Sequence, residues 1–323
     1  MQKIICHRWE YNFHTQKIRN YNTKFKNMIR EIIRLLRPHQ WLKNAFVFMP
    51  LFFDRHATEW NYVWPCIVAF AAFCLTASGV YCLNDVCDAE ADRRHPSKRM
   101  RPVASGAVSK RMAYGVMAVL WVAAFALTGL CFCGSSVALE VSSTLLLYLL
   151  MNVAYCLRLK RVAILDVFVI AVGFVLRIAV GGIATGIWLS HWIVITTFLL
   201  ALFLALAKRR DDMTLYEDSG IRARQNIERY NRDFLASAIA ILGSVTIMCY
   251  ILYTLSNEVL ERTGSKSLYA TSAFVLAGIL RYLQLIFVDG KSGSPTQILL
   301  HDNFIQTCIA GWIAMFVIIL YIL

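Results

Sequence analysis

Charge is what this sequence has least of. Only 16% of its 323 residues are Asp, Glu, Lys or Arg, against about a quarter in ordinary soluble domains, and 58% are hydrophobic. A water-soluble globule of the usual kind is excluded. No CxxC pair occurs among the ten cysteines, most of which lie inside apolar runs, so neither a disulfide framework nor a zinc site is indicated. Residues 1–30 lack the apolar core of a signal peptide. Missing too are the short alternating segments of a membrane barrel and the interleaved aromatic and basic residues of a nucleic-acid module.

What is present is a series of apolar runs of about 20 residues, each long enough to cross a bilayer as a helix. Lipid offers backbone groups no partners, so an all-α membrane protein follows. Nine spans are predicted: 42–54 (short, broken by Pro50), 62–83, 112–133, 137–156, 162–182, 190–207, 234–256, 268–288 and 303–323. With the N-terminus inside, 27 Lys and Arg fall in cytoplasmic segments against three outside (Arg55, Arg262 and Lys266). This bias places the N-terminus in the cytoplasm and, with nine spans, the C-terminus outside. It also accounts for most of the net charge of +13, which matches topology and anionic headgroups and not a nucleic-acid partner. Residues 1–30 read as a basic flexible tail or short interfacial helix, and 31–323 as the transmembrane domain. From Glu31 an amphipathic helix is expected along the membrane face, ended by Pro38.

Two polar loops, 84–111 and 208–232, interrupt the series, following the second and sixth spans, which hints at a pseudo-repeat. The first begins with Asn84, Asp85, Asp88 and Asp92 at helical spacings, so one helix face carries four oxygen donors suited to Mg²⁺. Lys98, Arg99 and Arg101 follow as phosphate partners. Arg93, Arg94 and Lys110 are topology charges. In the second loop Lys208 and Arg209 precede Asp211 and Asp212, cations beside carboxylates that can bind a phosphate and help hold its metal. Asp85, Asp88, Asp92 and Asp212 are the candidate catalytic carboxylates. Arg177 lies well inside the fifth span and must meet an anion, either a substrate or a buried carboxylate such as Asp166. Arg281 is similar but nearer an end, where it can snorkel. Arg37, Gln40, Lys43 and Asn44 sit where the chain enters the bilayer, and Lys160 precedes another such point.

NDxxDxxxD followed by HPxKRxRPxASG resembles the first aspartate-rich motif of the UbiA superfamily of intramembrane prenyltransferases. RPHQWLKN, LKRVAILDVFVIAVGFVLRIAVGG, the AKRRDD loop and LRYLQLIFVDGKSGSPTQILLHD extend the resemblance from about residue 34 to 323, toward the decaprenyl-phosphate phosphoribosyltransferase branch. Prenyl-transferring members carry a second DxxxD in the second loop. Here Asp211, Asp212 and Asp218 have the wrong spacing, whereas Lys208, Arg209 and Asp212 match a KRxxE-like pattern with Asp for Glu.

The resemblance implies a nine-helix UbiA-like bundle with a central polar cavity opening to the cytoplasm, in the inner membrane of a bacterium. It implies transfer of phosphoribosyl from 5-phosphoribosyl 1-diphosphate (PRPP) to a polyprenyl phosphate such as decaprenyl phosphate, with Mg²⁺ on Asn84, Asp85, Asp88 and Asp92. Lys98, Arg99, Arg101, Lys208 and Arg209 would bind phosphates, with Arg37, Gln40, Lys43 and Lys160 positioning the lipid. Two other readings stand: prenyl transfer to an aromatic acceptor, and a transporter or binding protein for polyprenyl phosphate.

Overall fold

A computed structural model describes residues 26–96, 98–220, 222, 224, 226–263, 266–290 and 295–322. Of the expected basic tail, residues 1–25 lie outside these. Every regular element among the described residues is helical. The chain is helical over 26–36 (α1), with a 3-10 stretch Pro38–Phe48 and a short α2, Met49–Phe53. Longer helices follow: α3 (Trp60–Arg94), α4 (Lys110–Cys131), α5 (Ser136–Leu157), α6 (Leu165–Thr185), α7 (His191–Ser219) and α8 (Arg232–Leu255). The rest are the short α9 (Asn257–Thr263), α10 (Ser272–Phe287), the short α11 (Pro295–His301) and α12 (Asn303–Val317).

Eight helices among the described residues are long and apolar enough to cross a membrane. The chain is therefore a multi-pass membrane protein. The expected span at 42–54 is not a long α-helix. Pro38 and Pro50 flank a tighter helix that ends at Phe48 and then restarts for a single turn. Its backbone rests on α6 at Gly181, where a Cβ would lie 1.9 Å from the Val47 carbonyl oxygen. Only a glycine admits that approach. The Cys66 thiol donates to the same carbonyl at 3.4 Å. Irregular backbone at membrane depth is tolerated where protein covers it, and Asn44, Val47 and Pro50 are buried.

Two compact units can be distinguished. The first combines the described residues up to Lys43 with Cys74–Ala124, and the second combines Asn44–Phe73 with Phe125–Leu323. In the first, Leu35 of α1 packs with Cys82, Val86 and Ala89 of α3, Val103 and Val108 of the following loop, and Ala113 and Leu120 of α4. Gly79 makes room for the Trp121 indole, which donates to the Thr76 carbonyl at 3.2 Å. Ser78 Oγ donates to the Leu36 carbonyl at 2.9 Å and accepts from Trp41 Nε1 at 3.0 Å. The end of α1 is thereby pinned to α3, just before Arg37.

The second unit is built on α7, whose buried Ala201, Phe203 and Leu206 pack with Leu235 and Ile239 of α8 and Tyr282 and Ile286 of α10. Helices α6 and α7 begin differently. Ser190 caps α7 by accepting from Trp192 N at 3.3 Å, as a serine N-cap should. By contrast, α6 starts from Ile164 with no side-chain cap and a positive φ of 69°.

Candidate active site

The last turns of α3 carry the acidic stripe. Asp85 and Asp92 are buried (1% and 4% exposed), while Asn84 and Asp88 are half-buried. The chain then folds back through a turn at Lys98–Met100, with Arg93 Nε donating to the Ala104 carbonyl at 3.0 Å. This return brings Arg101 to both acids: Nη1 lies 2.6 Å from Asp92 Oδ2 and 3.7 Å from Asp85 Oδ1. Arg37 reaches Asp85 Oδ1 from the end of α1, its guanidinium 5.2 Å from the Tyr81 ring centroid. Arg37 itself holds a left-handed backbone, φ 52°, which turns the chain out of α1 before Pro38.

Two arginines thus hold two carboxylates, and Asp85 Oδ2 is buried with no hydrogen-bond partner. Among the described residues no group of three His, Cys, Asp or Glu side chains forms a metal centre by itself. A helix explains why. Residues seven apart are on one face but about 10 Å apart along the axis, too far to close around one ion. Mg²⁺, however, is ordinarily held by one or two carboxylates together with substrate phosphates and water. The stripe with its one orphaned carboxylate oxygen suits that mode of binding. Of the expected phosphate partners, Lys98 is half-buried, Arg99 exposed and Arg101 partly exposed.

In the second unit the charges at the end of α7 form a connected chain. Arg209 is fully buried, and its Nε donates to Asp166 Oδ2 at 2.7 Å, itself fully buried in the first turn of α6. Asp166 Oδ1 accepts from the Tyr230 hydroxyl at 2.7 Å, and that oxygen accepts the Ile164 backbone N–H at 2.7 Å. On the other side, Arg209 Nη1 approaches Asp212 Oδ2 at 3.4 Å. Arg224 Nε donates to the same oxygen at 2.8 Å, and its Nη1 to the Tyr155 hydroxyl at 3.2 Å. Burial, reinforced by the bond to Asp166, pushes the Tyr230 phenol above its usual range, so it stays a protonated donor. Arg209 is thus a buried cation paired with Asp166 and Asp212, and its Nη2 is buried without a hydrogen-bond partner. Lys208, its neighbour, is exposed, and Lys160 is half-buried in the short turn Leu159–Arg161 that leads to Ile164.

Arg177 pairs not with Asp166 but with neutral groups. Its Nε donates to Asn44 Oδ1 at 2.8 Å, Nη1 to the Gly173 carbonyl at 2.6 Å and Nη2 to the Tyr148 hydroxyl at 3.2 Å. The Phe73, Phe174 and Tyr148 rings surround it at 4.8, 5.1 and 5.2 Å. Every guanidinium nitrogen is engaged, and aromatic faces supply the rest of its solvation. Gln40 and Lys43 lie half-buried in the first 3-10 stretch, and Gln40 N donates to the Arg37 carbonyl at 2.9 Å. Sequence reasoning did not assign Asp166, Tyr230 or Arg224 to the site. A carboxylate in the first turn of an apolar span was the signal available for Asp166.

Known proteins share this succession of helices. Residues 48–304 match the UbiA prenyltransferase family. The chain belongs to that family. It is 34% identical over 300 residues to a decaprenyl-phosphate phosphoribosyltransferase of Mycolicibacterium smegmatis, covering 89% of this chain and 92% of that protein. A Mycobacterium tuberculosis protein of the same name is 36% identical over 296 residues, 89% of this chain and 93% of its own length. A UbiA homolog from Archaeoglobus fulgidus, solved bound to GPP and Mg²⁺, superposes with a TM-score of 0.65 at 19% identity, covering 90% of this chain and all of that one. At that identity the likeness is one of fold. A UbiA homolog from Aeropyrum pernix K1 gives a TM-score of 0.62 at 16% identity over 86% of this chain and 97% of that one.

Proposed function

We propose that this UbiA-family transferase moves the 5-phosphoribosyl group of PRPP to a polyprenyl phosphate such as decaprenyl phosphate, releasing diphosphate. Its likeness over most of its length to proteins named for that activity supports the reading. The observation that favours it over prenyl transfer is Asp212. Asp211, Asp212 and Asp218 form no DxxxD pair, and Asp212 is taken up by Arg209 and Arg224, which speaks against a second metal motif of the prenyl-transferring kind. The positive-inside bias supports a cytoplasmic N-terminus and cytoplasmic charged loops, where soluble PRPP is available.

On this reading one or two members of the stripe Asn84, Asp85, Asp88 and Asp92 would hold Mg²⁺ together with the substrate's phosphates and water. The bound ion supplies charge neutralisation for the diphosphate leaving group. Arg101 and Arg37, already placed on the carboxylates, would donate to phosphate oxygens, with Lys98 and Arg99 beside Arg101 in sequence. The bond from the anomeric carbon to diphosphate breaks and the electron pair leaves with diphosphate. A lipid phosphate oxygen forms the new bond from the opposite face, inverting the centre. Because that phosphate is already an anion, no general base is needed. Gln40, Lys43, Lys160 and Lys208 are the remaining candidates for holding phosphate groups.

The test is incubation of purified protein with labelled PRPP, polyprenyl phosphate and Mg²⁺, followed by lipid extraction. Label in the organic phase is expected. Label confined to the aqueous phase, with prenyl diphosphate consumed instead in the presence of an aromatic acceptor, would overturn the proposal.

A further inference from the structure

We propose that Asp166 and Tyr230 are positioning residues for phosphoribosyl transfer, a proposal that rests on the function inferred above. They hold the turn bearing Lys160 and the α7 end bearing Lys208 and Asp212 in one fixed register. Two costly features meet at this place. Asp166 and Arg209 form an ion pair with both side chains fully buried, an arrangement that apolar residues of similar volume commonly match or better in stability. Ile164, a β-branched residue, holds φ at 69°, a conformation that persists only where its surroundings over-determine it.

One phenol joins the two. The Tyr230 hydroxyl accepts the Ile164 N–H and donates to Asp166, each at 2.7 Å. From Asp166 the chain runs through Arg209 to Asp212, which is partly exposed, and Asp212 also takes Arg224 from the loop. The network therefore starts at a strained backbone turn beside Lys160 and ends at a carboxylate that solvent can reach. Neither Asp166 nor Tyr230 need touch substrate. Their effect passes through Lys160 on one side and through Arg209 and Asp212 on the other.

Tyr230→Phe deletes the bridging hydroxyl and keeps the ring. Loss of a hydrogen bond to a charged group should lower kcat/KM for PRPP roughly tenfold. A purely structural role is separated by adding Ile164→Gly, which relieves the strained φ. The double variant should regain thermal stability while kcat/KM stays low. Arg209→Lys, which keeps the charge but cannot span Asp166 and Asp212 together, should show a loss of similar size in folded protein. Wild-type kinetics in Tyr230→Phe, or recovery of kcat/KM in the double variant, would overturn the proposal. Absence of transfer in the wild-type protein would instead count against the function on which it rests.

Discussion

The acidic end of α3 and the charged end of α7 contain the same residue types and are built for different tasks. At α3, Asp85 and Asp92 are shared by Arg37 and Arg101, whose side chains are 18% and 26% exposed, and one carboxylate oxygen is left over. Partners that are partly solvated can exchange, so a metal and phosphates can replace or join them. At the α7 end, Arg209 and its α6 partner Asp166 show no exposure at all and each is bonded to a further residue, although Arg209 Nη2 also lacks a partner. Exchange there would strand a buried charge. The contrast teaches that a charged loop at a membrane face cannot be read by composition: what matters is which of its ions have somewhere else to go.

Substitutions at the two ends should separate in what they damage. Asp166→Asn should have the largest effect, because it leaves Arg209 buried beside a neutral group. A loss of about 3–5 kcal/mol is expected, seen as a lower Tm in detergent. Asp85→Asn should leave folding near normal and reduce transfer by on the order of 100-fold, the size of a lost electrostatic stabiliser of the reaction. Single-turnover assays with labelled PRPP measure it. An equally large fall in Tm would erase the distinction between the two regions. Arg101→Lys keeps the charge but loses the reach to both carboxylates; roughly tenfold weaker use of PRPP is expected, about one charge-assisted hydrogen bond.

The smallest effect falls on a residue that belongs to neither cluster. Asp302 caps α12 by accepting from Ile305 N at 2.9 Å, and its hydrogen bond from Arg281 holds the carboxyl below its ordinary range. Its contribution is complete above the unfolded value of about 4 and is lost as pH falls through the lower folded value. Asp302→Ala should cost about 1 kcal/mol at neutral pH through the cap, and Tm measured across acidic pH should show the difference from wild type shrinking.

Much of this architecture is legible in the sequence. The hydrophobic runs mark the long helices because lipid permits little else, and the spacing of Asp85, Asp88 and Asp92 marks one helix face. Residue spacing alone separates the second loop from a DxxxD motif. What stays hidden depends on partners far apart in the chain. Arg37 meets Asp85 across 48 residues, Tyr230 meets Asp166 across 64, and Arg177 meets Asn44 across 133. Arg209 reads as a phosphate partner because its neighbours are charged, and its full burial, with Lys208 exposed beside it, is not legible there. The break at 38–53 is half legible: Pro50 signals a short element, but the close approach at Gly181 that seats it leaves no mark in the local pattern.

Binding of Mn²⁺ as a paramagnetic stand-in for Mg²⁺, followed by electron paramagnetic resonance with PRPP present, tests most directly whether the exchangeable region holds the metal. Binding should be lost in Asp85→Asn and kept in Asp212→Asn. Retention in Asp85→Asn, or equal loss in both, would contradict the division of labour between the two charged ends.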